Sequence, residues 1–412
     1  MNLLYNLGIK LYACGVKIAA AAGNGKARLM TEGHKRVLGD LATLPADARP
    51  IWVHAASLGE FEQGRPLIER IRRELPGRPV LLTFFSPSGY EVRKGYDKAD
   101  VVTYLPLDTP ARVRRFLDAA HPSMAIMVKY EFWGNYLQEL RRRAIPTYLI
   151  SAIFRPEQAF FKPWGGTFRS MLRCYAHIFV QDDNSRKLLH GVGCDNVTVA
   201  GDTRFDRVTD IMRTARDFPD LRAFAASKPT LLMGSSWPAD EDVVIPYFNA
   251  HADAMRLIIA PHEFDEERLR ALIDRIDGKA VRYSRVAQGL DDIADARCVI
   301  IDSFGILSSC YRYAAIAYVG GGFGAGIHNI NEAAVYGIPV LFGPRHDKFK
   351  EATDLIASGG AFEVTSAQSL AERLSRLLTD DAARAAAGAA AGAYVNSCLG
   401  ATDRIFSAIF PR

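Results

Sequence analysis

The sequence predicts an α/β protein made of two doubly wound, Rossmann-like domains that face a cleft. From Pro50 onward, short apolar runs alternate with longer amphipathic segments, a pattern typical of a mostly parallel sheet covered by helices. One charged, helix-like stretch, residues 206–228, interrupts this alternation, which then resumes. The length of 412 residues is enough for two hydrophobic cores.

Twelve apolar runs have the length of strands. Seven precede the charged stretch: Ile51–His54, Val80–Thr83, Val101–Leu105, Met124–Val128, Thr147–Ile150, His177–Val180 and Val197–Ala200. Five follow it: Thr230–Met233, Arg256–Ile259, Cys298–Ile301, Ala315–Val319 and Val340–Phe342. Helical patterns cover Gln63–Glu74, Pro110–Ala119, Tyr136–Arg143 and the alanine-rich Asp380–Tyr394. We therefore place an N-terminal segment at residues 1–45, one domain at 46–210 and another at 211–412.

The composition excludes several classes of protein. Hydrophobic residues make up 49% and charged residues 24%, as in ordinary globular proteins. The net charge of +5 is spread thinly over the chain, so no nucleic-acid partner is expected. The six cysteines show neither CxxC nor metal-ligand spacing, which indicates free thiols in a reducing compartment and no bound metal.

The N-terminal stretch Leu3–Ala22 is apolar but carries Lys10 and Lys17, which share one face of a helix. Two lysines disfavour a spanning helix, and no convincing cleavage site for a secretory signal follows. An amphipathic helix in a membrane interface is the favoured interpretation, backed by nearby basic residues. The alternative is a helix packed against the protein itself.

The stretch Ala315–Pro344 combines an apolar strand, four glycines within five positions (Gly320, Gly321, Gly322 and Gly324) and a second strand. The sequence HNINEAA between the glycines and the second strand begins like a capped helix. Strand, glycine loop and helix start can bring backbone N–H groups against a phosphate. The alternative is a turn in which the glycines only allow close packing.

Polar residues follow the predicted strands at several points. Glu60 comes at a helix start after the first strand, where a carboxylate can act as a general base. Glu131 and Arg204 follow two later strands, and a cation such as Arg204 can neutralise a leaving phosphate. Each also has a structural alternative. Glu60 would satisfy N–H groups at the helix start, Glu131 would belong to an aromatic cluster, and Arg204 would form an ion pair.

Further strand-end residues in the second half are Ser235, Ser236, Pro261, His262, Ser303, Phe304 and Gly305. Because ligands bind at the carboxyl ends of parallel strands, we expect a nucleotide site in the cleft.

These segments together resemble the 3-deoxy-D-manno-octulosonic acid (Kdo) transferases of Gram-negative bacteria, which are inverting glycosyltransferases of the GT-B fold. The resemblance covers about residues 50–360 in family order. Its motifs are HAASLGEFEQGRPLI, LLTFFSPSGYE, YLPLDTP, KYEFWGN, VAGDTRFD, GSSWPADE, IDSFGIL and VGGGFGAGIHNINEAAVYGIPVLFGP followed by KFKEA.

The resemblance implies transfer of Kdo from CMP-Kdo to a lipid A precursor of the lipid IVA type, with release of CMP, in lipopolysaccharide synthesis. It implies a first domain for the acceptor and a second for CMP-Kdo, at the cytoplasmic face of the inner membrane, with no metal or other cofactor. Glu60 matches the general base, and Glu131 and Arg204 match residues that stabilise the transition state. The positions that match CMP-contacting segments are Pro261, His262, Ser303, Phe304, Gly305, Asn329, Ile330, Asn331 and Glu332.

The chain departs from the family pattern at a few positions. Arg204 stands where lysine is common, and His262 stands where an arginine follows the proline. The glycine loop is about one residue shorter. Two other functions remain open from the sequence: a nucleotide-sugar epimerase of the same fold, and a non-catalytic nucleotide-sugar-binding membrane protein.

Overall fold

The computed structural model describes residues 3–411 and divides them into two compact units. Domain 1 comprises Met1–Arg207 together with Leu399–Arg412, and domain 2 comprises Val208–Cys398. Each is built on one seven-stranded sheet in which every pairing is parallel. The predicted class, two Rossmann-like α/β domains, is therefore confirmed.

The sheet of domain 1 has the order β3-β2-β1-β4-β5-β6-β7. Its strands are β1 Ile51–Ala55, β2 Val80–Phe84, β3 Val101–Tyr104, β4 Met124–Val128, β5 Thr147–Ala152, β6 His177–Val180 and β7 Val197–Val199. Strands β1, β2 and β4 are buried at every position. This burial explains why they appear in the sequence as continuous apolar runs.

Helices cover both faces of that sheet. They are α1 Leu3–Ala21, α2 Gly25–Leu41, α3 Leu58–Glu74, α4 Pro87–Arg93, α5 Pro110–Ala120, α6 Gly134–Arg142, α7 Gly166–Leu172, α8 Asp183–His190 and α9 Thr203–Arg213, with α19 Ala401–Ile409 at the other end of the chain. A single 3₁₀ turn, Ala159–Phe161, precedes α7. The charged stretch 206–228 thus forms most of α9 and, in domain 2, the short helix Pro219–Ala226.

The boundary predicted at residue 412 for the second domain differs from the structure. Helix α19 buries Ile405, Phe406 and Ile409 in the core of domain 1. Asp206 fixes the start of this helix, because its carboxylate accepts hydrogen bonds from the backbone N–H groups of Gly400 and Thr402, both at 2.7 Å. The last helix therefore returns to the first domain.

The N-terminal segment 1–45 does not form a separate unit, because α2 packs on domain 1. Met30, Val37 and Leu41 of α2 are buried, and the latter two join the main core. Helix α1 is different, since none of its residues is buried.

Domain 2 has the strand order β10-β11-β9-β8-β12-β13-β14. Its strands are β8 Thr230–Ser236, β9 Arg256–Pro261, β10 Ala280–Arg282, β11 Cys298–Ile300, β12 Ile316–Val319, β13 Val340–Phe342 and β14 Ala361–Glu363. Its helices are α10 Pro219–Ala226, α11 Pro238–His251, α12 Glu266–Ile273, α13 Tyr283–Ala287, α14 Leu307–Cys310, α15 Asn331–Ala334, α16 Lys350–Ser358, α17 Ala367–Thr379 and α18 Asp381–Ser397, with a 3₁₀ turn at Tyr311–Tyr313. The two edge strands, β10 and β14, were not predicted, because each ends in a charged residue, Arg282 or Glu363, and forms no continuous apolar run.

Candidate functional site

The predicted residues of domain 1 lie at the carboxyl edge of its sheet. Glu60 is in the first turn of α3 after β1, Glu131 follows β4, and Arg204 is at the start of α9 after β7. Tyr130 lies near Glu60 and Arg204: burial raises its pKa, and the charges of Arg155, Glu60, Arg204 and Asp202 also act on it. Glu60 and Arg204 therefore share one environment on this edge.

Glu60 is half-buried, and Ser57 is the N-cap residue of its helix. The Ser57 hydroxyl donates a hydrogen bond to Glu60 Oε2 instead of capping a backbone N–H. This contact aligns the carboxylate while leaving it reachable. Such an acid can take a proton from a hydroxyl group brought to this edge.

Arg204 is held by a buried acid that the sequence analysis missed. Arg204 Nε and Nη2 lie 2.8 and 2.7 Å from Asp202 Oδ2. Gln63 of α3 donates to the same carboxylate at 3.2 Å, which ties α9 to α3. Burial raises the pKa of Asp202, but the charge and hydrogen bonds of Arg204 outweigh it, so the pKa is lowered on balance. The ion pair could have been predicted from the motif GDTRFD, because Asp202 and Arg204 stand only two residues apart in it.

Glu131 has a different environment from the one expected of a residue that contacts the transition state. Its side chain is only 3% exposed. Oε2 accepts a hydrogen bond from Trp133 Nε1 at 2.6 Å, and Oε1 accepts one from the backbone N–H of Ala56 at 3.2 Å. His54 Nε2 also lies 3.2 Å from Oε2. The carboxylate is thus enclosed by protein groups.

In domain 2, the predicted residues lie at or after the carboxyl ends of β11, β9, β8 and β12, which are consecutive strands of the sheet. Ser235 has φ of 53°, a left-handed conformation that is costly for a residue with a side chain. The Ser236 hydroxyl is buried and donates to Glu241 at 2.8 Å, and Glu241 in turn accepts from Arg268 at 2.6 Å. Ser236 therefore supports the loop through its side chain, and its hydroxyl is already engaged.

Three aromatic rings stack beside this loop. The His262 ring lies 4.2 Å from the His328 ring and 4.9 Å from the Trp237 ring, centroid to centroid. Trp237 Nε1 donates to His328 Nε2 at 3.1 Å. Burial, and then the nearby His262, lowers the pKa of His328 to about 4. His328 is accordingly a neutral residue at pH 7, and it was not among the predicted site residues.

The glycine loop is explained chiefly by close backbone packing, the alternative interpretation of its sequence. A Cβ at Gly320 would lie 2.3 Å from Ser235 O and 2.8 Å from Ser236 Cα. Asp240 ties the loop to α11, because its Oδ2 accepts from Gly321 N at 2.9 Å and from Trp237 N at 3.0 Å. Asp240 is the third residue of α11, where acids commonly cap a helix start. This capping pattern was the signal in the sequence from which the role of Asp240 could have been predicted.

The helix expected after the glycines is only one turn long, Asn331–Ala334, because the chain turns at Gly337 and enters β13. It is too short to provide the helix N-terminus expected for a phosphate. Asn329 organises this turn: Oδ1 accepts from Asn331 N at 3.2 Å, and Nδ2 donates to Glu332 at 3.1 Å. Ile330 and Asn331 are buried, and neither side-chain polar atom of Asn331 has a partner among residues 3–411.

The segment Ser303–Gly305 forms a turn after β11. Gly305 has φ of 82°, and Phe304 is 78% exposed, with its ring stacked 4.8 Å from that of Phe264. Asp302 anchors the turn by accepting from Arg282 and Ser284 N, both at 2.8 Å. Burial opposes ionisation of Asp302, but these hydrogen bonds prevail and lower its pKa. Pro261 is the buried last residue of β9.

Helix α1 is attached to the carboxyl edge of the domain 1 sheet. The Tyr5 hydroxyl donates to Asp108 at 2.6 Å and accepts from Gly134 N at 3.0 Å, and Asn135 donates to Asn6 at 2.9 Å. Helix α1 is long and apolar enough to cross a membrane by length and composition, and its leucines are exposed. A cavity of about 270 Å³ between α1, α2 and α5 has mostly apolar walls and four basic residues, Lys17, Lys35, Arg112 and Arg115.

In the described part of the chain, no group of three or more His, Cys, Asp or Glu residues is placed to hold a metal ion.

Solved structures share the fold over most of the chain. A UDP-GlcNAc 2-epimerase from Neisseria meningitidis bound to UDP-GlcNAc matches with a TM-score of 0.60 and 14% identity, covering 87% of this chain and 99% of that structure. MurG of Acinetobacter baumannii matches with a TM-score of 0.55 and 12% identity, covering 88% and 99%. With its two Rossmann-like domains, the chain has the GT-B fold.

The family follows from sequence comparison. Residues 28–207 match the model of the family described as 3-Deoxy-D-manno-octulosonic-acid transferase (kdotransferase). The 3-deoxy-D-manno-octulosonic acid transferase of Bordetella pertussis is 29% identical over 386 residues, which are 88% of this chain and 87% of the relative. That of Aquifex aeolicus is 26% identical and covers 80% of this chain and 86% of the relative. Residues 28–207 therefore carry the domain of this family.

Proposed function

We propose that the protein transfers Kdo from CMP-Kdo to a hydroxyl group of a lipid A precursor and releases CMP, as a step of lipopolysaccharide synthesis. One observation carries this proposal most directly. A reachable carboxylate, Glu60, and a cation, Arg204, share one sheet edge in a chain whose residues 28–207 match the Kdo transferase family. We further propose that the acceptor is a lipid A precursor of the lipid IVA type.

In the proposed reaction, Glu60 accepts the proton of the acceptor hydroxyl while its oxygen attacks the anomeric carbon of Kdo. The bond from that carbon to the phosphate oxygen of CMP breaks, and its electron pair leaves with CMP. The transition state has oxocarbenium character, as in other glycosyl transfers. Arg204, oriented by Asp202, would offset the growing phosphate charge. We expect no requirement for a metal.

Domain 2 would bind the nucleotide at the turns after β8, β9, β11 and β12. The unpartnered amide of buried Asn331 and the neutral His328 offer hydrogen-bonding groups without a fixed charge. His262, Ser303 and Glu332 add further polar groups on the same sheet edge.

The acceptor side of the proposal rests on α1. Its attachment at the carboxyl edge of sheet 1, together with its exposed leucines, would bring a lipid surface to the edge that carries Glu60. The basic residues around the neighbouring cavity suit the phosphates of an anionic lipid. We therefore propose a location at the cytoplasmic face of the inner membrane.

The test is to incubate the full chain with CMP-Kdo and a lipid IVA-type acceptor and to weigh both products by mass spectrometry. We expect an acceptor heavier by Kdo and an equal amount of CMP, with and without a chelator. Consumption of CMP-Kdo with an unmodified acceptor would overturn the transferase proposal, and recovery of an isomer of the donor would favour an epimerase. Binding of CMP-Kdo without turnover would favour a non-catalytic binder.

A further inference from the structure

Glu131 lies beneath the loop that carries Glu60. Its Oε1 accepts a hydrogen bond from Ala56 N, the residue between the last residue of β1 and the N-cap of α3. The carbonyl of Ala56 accepts from Phe85 N at 3.2 Å and from Ser86 N at 2.7 Å. Both backbone polar groups of Ala56 are thus held by groups that follow the neighbouring strands β4 and β2. Its orientation sets the direction in which α3 and Glu60 begin.

The imidazole of His54 completes this arrangement. His54 Nδ1 lies 3.0 Å from the carbonyl oxygen of Thr83, and Nε2 lies 3.2 Å from Glu131 Oε2 in a bent contact rather than an aligned hydrogen bond. The Thr83 hydroxyl lies 2.9 Å from the same Nδ1, and it accepts from Trp52 Nε1 at 2.8 Å. His54 has no exposed surface, so its ring fills the space beside the Glu131 carboxylate and fixes that carboxylate from one side.

From these contacts, we propose that Glu131 and His54 are positioning residues that act through the Ala56 peptide to hold Glu60 in its catalytic orientation. This inference rests on the proposed role of Glu60. Glu131 is thereby assigned a positioning role in place of the direct contact with the transition state that the sequence predicted. Both of its carboxylate oxygens already accept hydrogen bonds from N–H groups of the protein. A glutamine at this position has only one acceptor oxygen, so one of the two N–H groups, that of Ala56 or that of Trp133, is left without an acceptor and the loop loses support.

The first experiment is a double-mutant cycle of Glu131→Gln with Glu60→Asp. Glu131→Gln should lower kcat by about 100-fold, since a displacement of about 1 Å costs that much, and should leave KM for CMP-Kdo unchanged. If Glu131 acts through Glu60, the double variant is about as slow as the slower single variant. Losses that multiply, or a raised KM for CMP-Kdo, would overturn the proposal. Glu139→Gln, on α6, is the matched control, because the Glu139 carboxylate pairs only with Arg142 and Arg143 of the same helix end in the described structure, and it should leave kcat unchanged.

A second measurement does not depend on activity. Hydrogen exchange of Glu131→Gln and His54→Leu should show faster exchange confined to the amides of residues 56–61, while the Glu139→Gln control matches the wild type. Unchanged protection there would overturn the positioning role even if Kdo transfer is confirmed. Conversely, full activity of Glu60→Gln would refute the proposed base, whereas the exchange result would still decide whether Glu131 holds the loop.

Discussion

Arg204 Nη2 lies 2.7 Å from Oδ2 of the buried Asp202, and Gln63 of α3 donates to the same carboxylate. The cation proposed to meet the departing phosphate is therefore oriented by a fixed anion. Part of its charge is already offset, but the lowered pKa of Asp202 keeps the pair ionised at neutral pH. The contact with Asp202 thus fixes the orientation of the Arg204 guanidinium, although it offsets part of the positive charge of that group.

Replacing Arg204 should affect turnover most. We expect Arg204→Leu to lower kcat about 100-fold or more, by analogy with the loss of one group that stabilises developing charge. Arg204→Lys keeps the charge but not the two contacts with Asp202, so it should lie between the wild type and the leucine variant. Arg213→Leu, at the exposed end of the same helix, should retain normal kcat. Steady-state assays decide this, and equal activity of both leucine variants would contradict the role of Arg204.

Glu60→Gln should abolish proton transfer while preserving the size of the side chain and its contact with Ser57. We expect a loss in kcat of about 10² to 10⁴, the usual contribution of a general base. The affinity for CMP should be unchanged, because the nucleotide would bind domain 2. Glu74→Gln, at the other end of α3, is the control. Turnover near that of the wild type in Glu60→Gln would remove Glu60 from the mechanism.

The glycine loop offers a steric test. A Cβ at Gly320 would meet Ser235 O at 2.3 Å, whereas one at Gly324 would meet its nearest atom, Gly321 O, only at 3.5 Å. Gly320→Ala should therefore cost about 1–3 kcal/mol of stability, as overpacking does, and weaken CMP binding. Gly324→Ala should be tolerated. Denaturant unfolding and CMP titration measure both effects, and equal behaviour of the two variants would contradict the packing explanation.

Stability should depend on pH through His34. Burial and then the charge of Arg112 lower its pKa to about 4, while its Nε2 contacts Leu105 O at 3.0 Å. The unfolded chain takes up a proton below about pH 6.5, but the native state does so only below about 4, so stability is lost as the pH falls between these values. His328 contributes in the same direction.

The check is denaturant unfolding at a series of pH values from 7 to 4. His34→Gln keeps a donor for Leu105 O but cannot titrate, so its stability should fall less steeply than that of the wild type. His190→Gln, at an exposed histidine, should reproduce the wild-type profile. Parallel profiles for the wild type and His34→Gln would contradict this assignment.

The sequence predicted the sheets and most strand-end residues because these properties are local. Buried parallel strands appear as apolar runs, and the residues that follow them lie on one edge by geometry alone. Glu60 and Arg204 could be placed together in this way. The return of α19 to domain 1 could not be foreseen, because it depends on the contact of Asp206 with a helix start almost 200 residues away.

The supporting acids escaped prediction for a related reason. Asp202, Asp240 and Glu241 are buried, and each serves backbone or side-chain groups brought close by the tertiary fold. Motif reasoning favoured the conspicuous glycines and assigned Glu131 to the reaction. The burial of Glu131 depends on His54 and Trp133 at once, which no spacing in the sequence reveals.

Helix α1 should carry membrane binding through its exposed leucines. Leu7 and Leu11 are 51% and 65% exposed, and each would gain roughly 1.5–3 kcal/mol if fully buried in a lipid interface. We expect Leu7→Glu and Leu11→Glu each to weaken binding to vesicles containing anionic phospholipid by about tenfold or more. Leu290→Glu, at a leucine of domain 2 that is 60% exposed, is the matched control. Vesicle flotation measures all three variants. Equal flotation of the control and the α1 variants would show that α1 does not mediate the contact, whereas weaker flotation of the α1 variants alone would support it.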